Sequence, residues 1–453
     1  MPIPGYTEES FGARLAEIVN ASNPVRSVEH LKGRDENLAD IKRALYAPGR
    51  HIFVYGDRGV GKSSLAATAA VQYQGDGPPP IFVSGALDAN FRSIIASIAI
   101  KATESSKLRS TKSKREFSIE FHGIKWSRSQ EINPLNLADQ IQTISDAAEL
   151  LRQVANSYSD KTAVVLDEFD TIPDQAERGK FASLLKQIGD QSINIKFLIT
   201  GVGQSCEELL GAHQSAHRQL ATFELLTLPF EGRRQIVQDA VNEIGLEVND
   251  DVNWRIALIS AGYPYYIHLI TEKMLWAAFD STESVTTVGW NEFHVGLRKA
   301  IIQTNAELKA PYEKAVLQRK PEFEDVVWST ADGDDLFRSL DDMAASYKSI
   351  IQKRINRPEL DRPKYSEIVR KLRDRAYGPI LKSVKGRQGW YEYCEKMLRG
   401  YVRMQAEANE VVLSGEMPAP RQVMHTGNSR TGSHGPSIPV GVNQREPIRR
   451  SDK

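Results

Sequence analysis

His51-Ile-Phe-Val-Tyr-Gly56-Asp-Arg-Gly-Val-Gly61-Lys-Ser63 is the stretch on which the fold turns. His51 to Tyr55 is a short apolar run, the pattern of a buried strand. Gly56-Asp-Arg-Gly-Val-Gly-Lys-Ser63 follows and fits G-x-x-x-x-G-K-[ST]. An Ala-rich segment from about Lys62 to Tyr73 then predicts a helix. Strand, Gly-rich turn and helix in that order make an anion site. The glycines let the backbone close around a phosphate, and the loop N–H groups and helix N-terminus face it. Gly56, Asp57, Arg58, Gly59, Val60, Gly61, Lys62, Ser63 and Ser64 are the expected phosphate-holding residues. Lys62 is expected to reach the β- and γ-phosphates, and Ser63 to ligate Mg²⁺ through its hydroxyl.

A second half of the site lies about a hundred residues on, in Ala163-Val-Val-Leu-Asp-Glu168. A buried strand ending in Asp-Glu sets two carboxylates at its carboxyl end, where α/β sheets bind ligands. Asp167 is expected to hold Mg²⁺ with Ser63, and Glu168 to polarise the attacking water. Asp170 reads as a loop or cap residue. Ile81-Phe-Val83, Ile195-Lys-Phe-Leu-Ile199 and Thr222 to Leu228 are further strand candidates, and Phe91 to about Lys107 reads as a helix. Short apolar strands alternating with helices give an α/β fold: a parallel sheet covered on both faces.

The chain has 453 residues, enough for two to four domains, with 41% hydrophobic and 26% charged residues, ordinary globular usage. No run approaches the 18 apolar residues of a membrane span, and Met1 to Phe11 lacks the pattern of a signal peptide. Cys206 and Cys394 are too few for a disulfide framework or a cysteine zinc site, so a cytoplasmic protein is expected. Lys+Arg and Asp+Glu are both 58, but the charge is uneven: residues 351–400 hold fourteen Lys/Arg against six Asp/Glu.

The Gly loop, the Asp-Glu strand and the helical segment from Phe230 resemble AAA+ and related STAND-type P-loop ATPases. His30-Leu-Lys-Gly-Arg-Asp-Glu36 resembles the Gly-Arg-x-x-Glu element of origin-recognition-type initiator ATPases, which packs near the adenine. Ser260-Ala-Gly-Tyr-Pro-Tyr-Tyr-Ile-His268 is similar to the Gly-x-Pro motif that opens a lid helix in STAND ATPases. The resemblance covers roughly residues 28–412. It implies a P-loop NTPase parallel sheet (AAA+ core) with a helical lid and a C-terminal winged helix, taking ATP and Mg²⁺. Arg34 and Pro264 would then border the nucleotide. Thr200 stands at the place of the polar sensor residue, and Arg218 where an arginine finger acts across a subunit interface. Where origin-recognition-type ATPases carry a lid arginine, this chain has Tyr263-Pro-Tyr265, which points to slow, switch-like turnover.

The expected organisation is a lead-in over 1–30, the ATPase core over 31–229, the lid over 230–310, the winged helix over 311–413 and a disordered tail over 414–453. A basic β-hairpin at about 108–130 interrupts the core, with Lys112, Lys114, Arg115, Lys125, Trp126 and Arg128 as candidate contacts. In Pro363 to Ala376, residues Tyr365, Ile368, Val369, Leu372 and Ala376 fall on one helical face, with Arg370, Lys371 and Arg373 largely off it. A Lys-Gly-Arg-Gln-Gly389 tip follows between two strand-like runs. This order suits a winged helix whose second helix enters a major groove and whose Lys385 and Arg387 touch phosphates. One reading is a DNA-associated ATPase that couples nucleotide state to duplex DNA and homo-oligomer assembly. The other is a signalling switch or adaptor acting on a protein partner encoded nearby, for example in antiphage defence. Neither needs a membrane.

Overall fold

The computed structural model describes residues 3–20, 29–107, 118–121, 124–127, 134–212, 216–317, 319–333, 335–354 and 357–414. Helix α1 (Glu8–Ile18) starts at a Thr7/Ser10 capping box, and α2 (Asp35–Tyr46) turns Leu38, Ile41 and Leu45 inward. Strand β1 (His51–Tyr55) is buried almost throughout and leads through the Gly loop into α3 (Lys62–Gln74). Next come β2 (Ile81–Ser84) and α4 (Phe91–Lys107). The inserted β3 (Ser118–Phe121) and β4 (Ile124–Ser127) pair antiparallel, as the alternation predicts. Lys112, Lys114, Arg115 and Arg128 lie outside the described residues, as does the tail after Ser414.

The core continues with α5 (Pro134–Gln140), α6 (Ile144–Tyr158) behind its Thr143/Asp146 capping box, β5 (Thr162–Asp167), α7 (Gln175–Asp190) and β6 (Ile195–Gly201). It closes with α8 (Gly203–Ala212), α9 (Ala216–Gln219) and β7 (Leu220–Glu224), which begins and ends earlier than the Thr222–Leu228 run suggests. The five strands form one parallel sheet in the order β2-β5-β6-β1-β7. Alternate residues of each strand face opposite ways. Ile52, Val54, Val165 and Leu198 pack with Leu65, Ala66, Ala69 and Ala70 of α3 on one face. Phe53, Val164, Leu166, Phe197 and Ile199 pack with α4, α6 and α7 on the other. Small alanines on α3 keep that helix close to the sheet.

Beyond the sheet are α10 (Phe230–Glu243), β8 (Glu247–Val248), α11 (Asp250–Ile259), α12 (Pro264–Phe279), β9 (Thr287–Val288) and α13 (Trp290–Gln303). Asn249 caps α11, and Pro264 occupies the first turn of α12, where its missing N–H costs nothing. The last region holds α14 (Ala306–Val316), α15 (Glu322–Ala331), β10 (Arg338–Ser339), α16 (Leu340–Lys353), α17 (Arg362–Lys371), β11 (Leu381–Ser383), β12 (Trp390–Tyr393) and α18 (Leu398–Ala408). Its small antiparallel sheet has the order β10-β12-β11. Helix, strand, tip and strand follow as in a winged helix; the two-residue β10 is too short to show in the sequence. Arg255 of α11 and Glu407 of α18 make a buried ion pair, and Arg403 of α18 donates to Leu258 O at 2.8 Å and Ala331 O at 3.0 Å. Helix α18 thus ties the lid to the winged-helix region. No helix among the described residues is long and apolar enough to cross a membrane.

Candidate functional site

The Gly loop, the end of β5 and the end of β6 meet at the carboxyl edge of three neighbouring strands. In-register pairing sets Thr200 opposite Val54 and, one residue beyond the Leu166–Ile199 pair, beside Asp167. Asp167 Oδ1 accepts from Ser63 Oγ at 2.8 Å, from the Glu168 N–H at 3.1 Å and from Thr200 Oγ1. The Glu168 N–H also approaches Thr200 Oγ1 at 3.2 Å. Glu168 holds a left-handed backbone, φ 52°, and its side chain is exposed to the cavity. Such a conformation costs of order 1–3 kcal/mol away from glycine and collects at functional sites.

The loop itself needs its glycines. Gly56, Gly59 and Gly61 have φ of 152°, 79° and 98°. A Cβ on Gly56 would stand 2.3 Å from the Leu225 carbonyl oxygen. Lys62 Nζ donates to the carbonyls of Gly56 at 3.1 Å and Asp57 at 2.9 Å. Burial pushes its pKa down; Asp170, then Asp167, Asp57 and Glu168, push it back up. Asp170, read from sequence as a loop or cap residue, therefore belongs to the site: it lines the cavity and exerts the largest charge effect on Lys62.

The cavity, about 1070 Å³, is lined by all nine Gly-loop residues, Asp167, Glu168, Asp170, Thr200, Arg34 and Pro264. Arg34 is buried, with its Nη2 on Val60 O at 2.9 Å and Leu226 O at 2.7 Å. Burial pushes its pKa down to about 10. It braces the loop against the segment after β7. Pro264 Cγ lies 3.8 Å from where a Gly61 Cβ would be. Arg218 is exposed on α9 and does not line the cavity.

The residues that enter from the C-terminal region carry no motif that marks them for the site. Lys382, Glu392, Cys394, Glu395 and Lys396 line the same cavity. Lys396 Nζ reaches Asp57 Oδ1 at 3.0 Å and Oδ2 at 2.9 Å. Met397 packs on the loop so closely that a Gly59 Cβ would lie 2.2 Å from its Sδ. Tyr266 Oη donates to Met397 O at 2.9 Å. One face of the small sheet thus belongs to the cavity. Arg370, Arg373, Lys385 and Arg387 are exposed and Lys371 half-buried, and none of the five lines the cavity. Lys371 pairs with Glu367 at 2.6 Å, and Arg387 stands over Trp390.

No grouping of three or more His, Cys, Asp or Glu suited to a metal ion occurs among the described residues. Ser63 and Asp167 offer one hydroxyl and one carboxylate already in contact. That donor set fits Mg²⁺, which is commonly held by one or two protein oxygens plus phosphates and waters.

Residues 30–198 match the family model of the AAA ATPase domain, so the chain carries such a domain. No curated protein matches the chain. Among solved structures, a Walker-type ATPase of Pyrococcus abyssi is similar at 13% identity and TM-score 0.49, over 84% of this chain and 99% of that one. The Orc1 protein of Aeropyrum pernix, solved in complex with DNA, is similar at 14% identity and TM-score 0.41, over 84% and 93%. RuvB of Thermotoga maritima, a Holliday junction branch migration motor, is similar at 14% identity and TM-score 0.40, over 86% and 98%.

Proposed function

We propose that the chain binds and slowly hydrolyses ATP in this cavity and uses its nucleotide state to govern duplex-DNA binding and self-assembly. The observation that carries the reading is the joint between the Gly loop and the winged-helix region, Lys396 on Asp57 and Met397 on Gly59. A ligand that displaces the loop or competes for Lys396 is felt directly by β12 and α18. In this reading Lys62 turns from the Gly56 and Asp57 carbonyls to the phosphates. Ser63 and Asp167 would hold Mg²⁺, which would supply charge neutralisation at the phosphate oxygens. Glu168 orients the attacking water, and Thr200 holds Asp167 and the Glu168 N–H in place. Arg34 braces the loop, and Pro264 borders the nucleotide from the lid. Arg218, exposed and outside the cavity, is free to serve a neighbouring subunit.

Arg370, Lys371, Arg373, Lys385 and Arg387 support the DNA part, because they lie away from the cavity and can face a duplex while the site is occupied. Anisotropy of a labelled random-sequence duplex with ATP, ADP or no nucleotide, at two salt concentrations, tests it. Binding that needs ATP and weakens with salt is expected, since Lys/Arg–phosphate contacts release counterions. Substituting Arg370, Arg373 and Arg387 together should abolish it and spare ATP binding. Duplex affinity that ignores nucleotide, or its absence in every state, favours the adaptor reading. That reading has its own support: Lys371 and Arg362 are already engaged by Glu367 and Asp341.

A further inference from the structure

Among the described residues that line the cavity, Glu168 is the only one other than glycine with a left-handed backbone. Were β5 to continue straight, Glu168 would point away from Asp167, because successive strand residues face opposite sides. The left-handed turn lets both carboxylates line the cavity instead. A strained backbone of this kind persists only where its surroundings over-determine it. Asp167 Oδ1 and Thr200 Oγ1 hold the Glu168 N–H, as described above.

The other side of the residue is held by Thr171. The Glu168 carbonyl oxygen accepts from the Thr171 N–H at 3.0 Å and from Thr171 Oγ1 at 2.8 Å. Thr171 lines the cavity as well, but its hydroxyl turns to this carbonyl. Gly85, just past β2, closes on the same pair. A Cβ there would stand 2.3 Å from Glu168 O and 2.5 Å from Thr171 Oγ1, while the Gly85 N–H donates to Asp167 O at 2.8 Å. Phe169 pins the turn between them, fully buried against the rings of Phe53 and Phe181. The turn is thus fixed from the core, and the Thr171 hydroxyl is its last tie to Glu168.

We propose that Thr171 is a positioning residue for Glu168: its hydroxyl locks the Glu168 carbonyl, and with it the left-handed backbone that aims the carboxylate at the attacking water. This rests on the hydrolysis reading above. The test compares single-turnover ATP hydrolysis with calorimetric ATP affinity for the full chain and for Thr171→Val, Thr171→Ser and Glu168→Gln. Thr171→Val keeps the shape and the N–H bond. Its hydrolysis rate should fall roughly tenfold, the effect of one lost hydrogen bond, with ATP affinity within threefold. Thr171→Ser, which keeps the hydroxyl, should restore most of the rate. In a Glu168→Gln background, Thr171→Val should change the rate no further, because the clamp acts only through that carboxylate. An unchanged rate in Thr171→Val, an equal fall in rate and affinity, or a full additional fall in the Glu168→Gln background overturns the proposal and leaves the hydrolysis reading standing. If the unsubstituted protein hydrolyses no ATP, that reading itself fails and this proposal with it.

Discussion

Lys396 Nζ lies 3.0 and 2.9 Å from the two carboxylate oxygens of Asp57, 339 positions earlier in the chain. Both side chains are about a third exposed, so the pair contributes no more than about 1 kcal/mol. Its position matters more than its strength, because Asp57 stands in a loop shaped for anions and an arriving phosphate competes with it for Lys396. Lys396→Ala should barely change the melting temperature. Lys396→Glu sets two carboxylates together and should release the winged-helix region. Limited proteolysis between Ala310 and Arg319 checks this: faster cleavage in the Glu variant alone is expected. An identical digest would mean that Met397 and Tyr266 hold the joint by themselves.

Two glycines of the loop should respond differently to the same substitution. Gly59→Ala places a Cβ 2.2 Å from Met397 Sδ, the mobile part of a flexible side chain. Gly56→Ala places one 2.3 Å from the backbone oxygen of Leu225, which cannot step aside. Both carry positive φ, worth of order 1 kcal/mol for alanine. Urea denaturation should show Gly56→Ala as the more destabilised. Adding Met397→Ala should restore part of the Gly59→Ala loss and none of the Gly56→Ala loss.

Thr200 touches both carboxylate residues of the β5 end through one hydroxyl. Thr200→Val keeps the shape and removes the bonds to Asp167 Oδ1 and the Glu168 N–H. ATP affinity should change less than threefold, while single-turnover hydrolysis falls tenfold or more, since an interaction made chiefly in the transition state lowers the rate. Thr200→Ser should restore most of the rate. Equal loss of affinity and rate would assign Thr200 to folding of the strand ends.

The parts of this site that a sequence can show are those written within a few residues of one another. The Gly loop is such a part, because strand, turn and helix are contiguous from His51 to Gln74. The Asp167–Glu168 strand end is another. Asp170 looked like a loop residue because nothing in its neighbours says that the short turn Phe169–Thr171 bends it back toward Lys62. Lys396 was hidden more deeply. It sits in a basic stretch that reads as solvated surface, and only the docking of β12 against the Gly loop gives it a partner. In the fold, four of the five parallel strands were legible from their apolar runs and the fifth was placed two to four residues late, whereas β8, β9 and β10, two residues each, carry no periodicity.

Acid should weaken this fold through His51. Its ring, at the start of β1, is fully buried, with Nδ1 accepting from the Phe197 N–H at 3.1 Å and the backbone of Leu185 beside it. Burial, then Lys196, push its pKa from 6.5 down to about 3. Below pH 6.5 the unfolded chain takes up a proton that the folded chain refuses. Stability is therefore full above pH 6.5, falls as pH drops toward 3, and levels off below, a loss on the order of several kcal/mol. His268 acts with the same sign between 6.5 and about 4. The Asp325 carboxyl, raised by burial, acts with the opposite sign. Urea midpoints from pH 7.5 to 4.5 should fall steadily, and His51→Gln should flatten the slope. A slope that His51→Gln leaves unchanged would trace the acid sensitivity to other groups.

The lid and the winged-helix region should come apart most readily at Glu407. Its Oε1 accepts from Arg255 Nε at 2.9 Å, its Oε2 from Arg255 Nη2, and both side chains are 8% exposed. Removing one partner of a buried pair strands the other charge, a loss of about 3–5 kcal/mol, whereas replacing both with apolar groups of like size is often neutral. Glu407→Ala should therefore lower the urea midpoint strongly, and Arg255→Met with Glu407→Leu should recover most of it. Arg403 still bridges Leu258 to Ala331 in both variants, so the region around α18 should loosen without unfolding the sheet. Hydrogen exchange locates the effect: in Glu407→Ala, protection should fall in α11 and α18 and hold in β1, β5 and β6. Uniform loss across all five segments would mean that core, lid and winged-helix region unfold as a single cooperative unit.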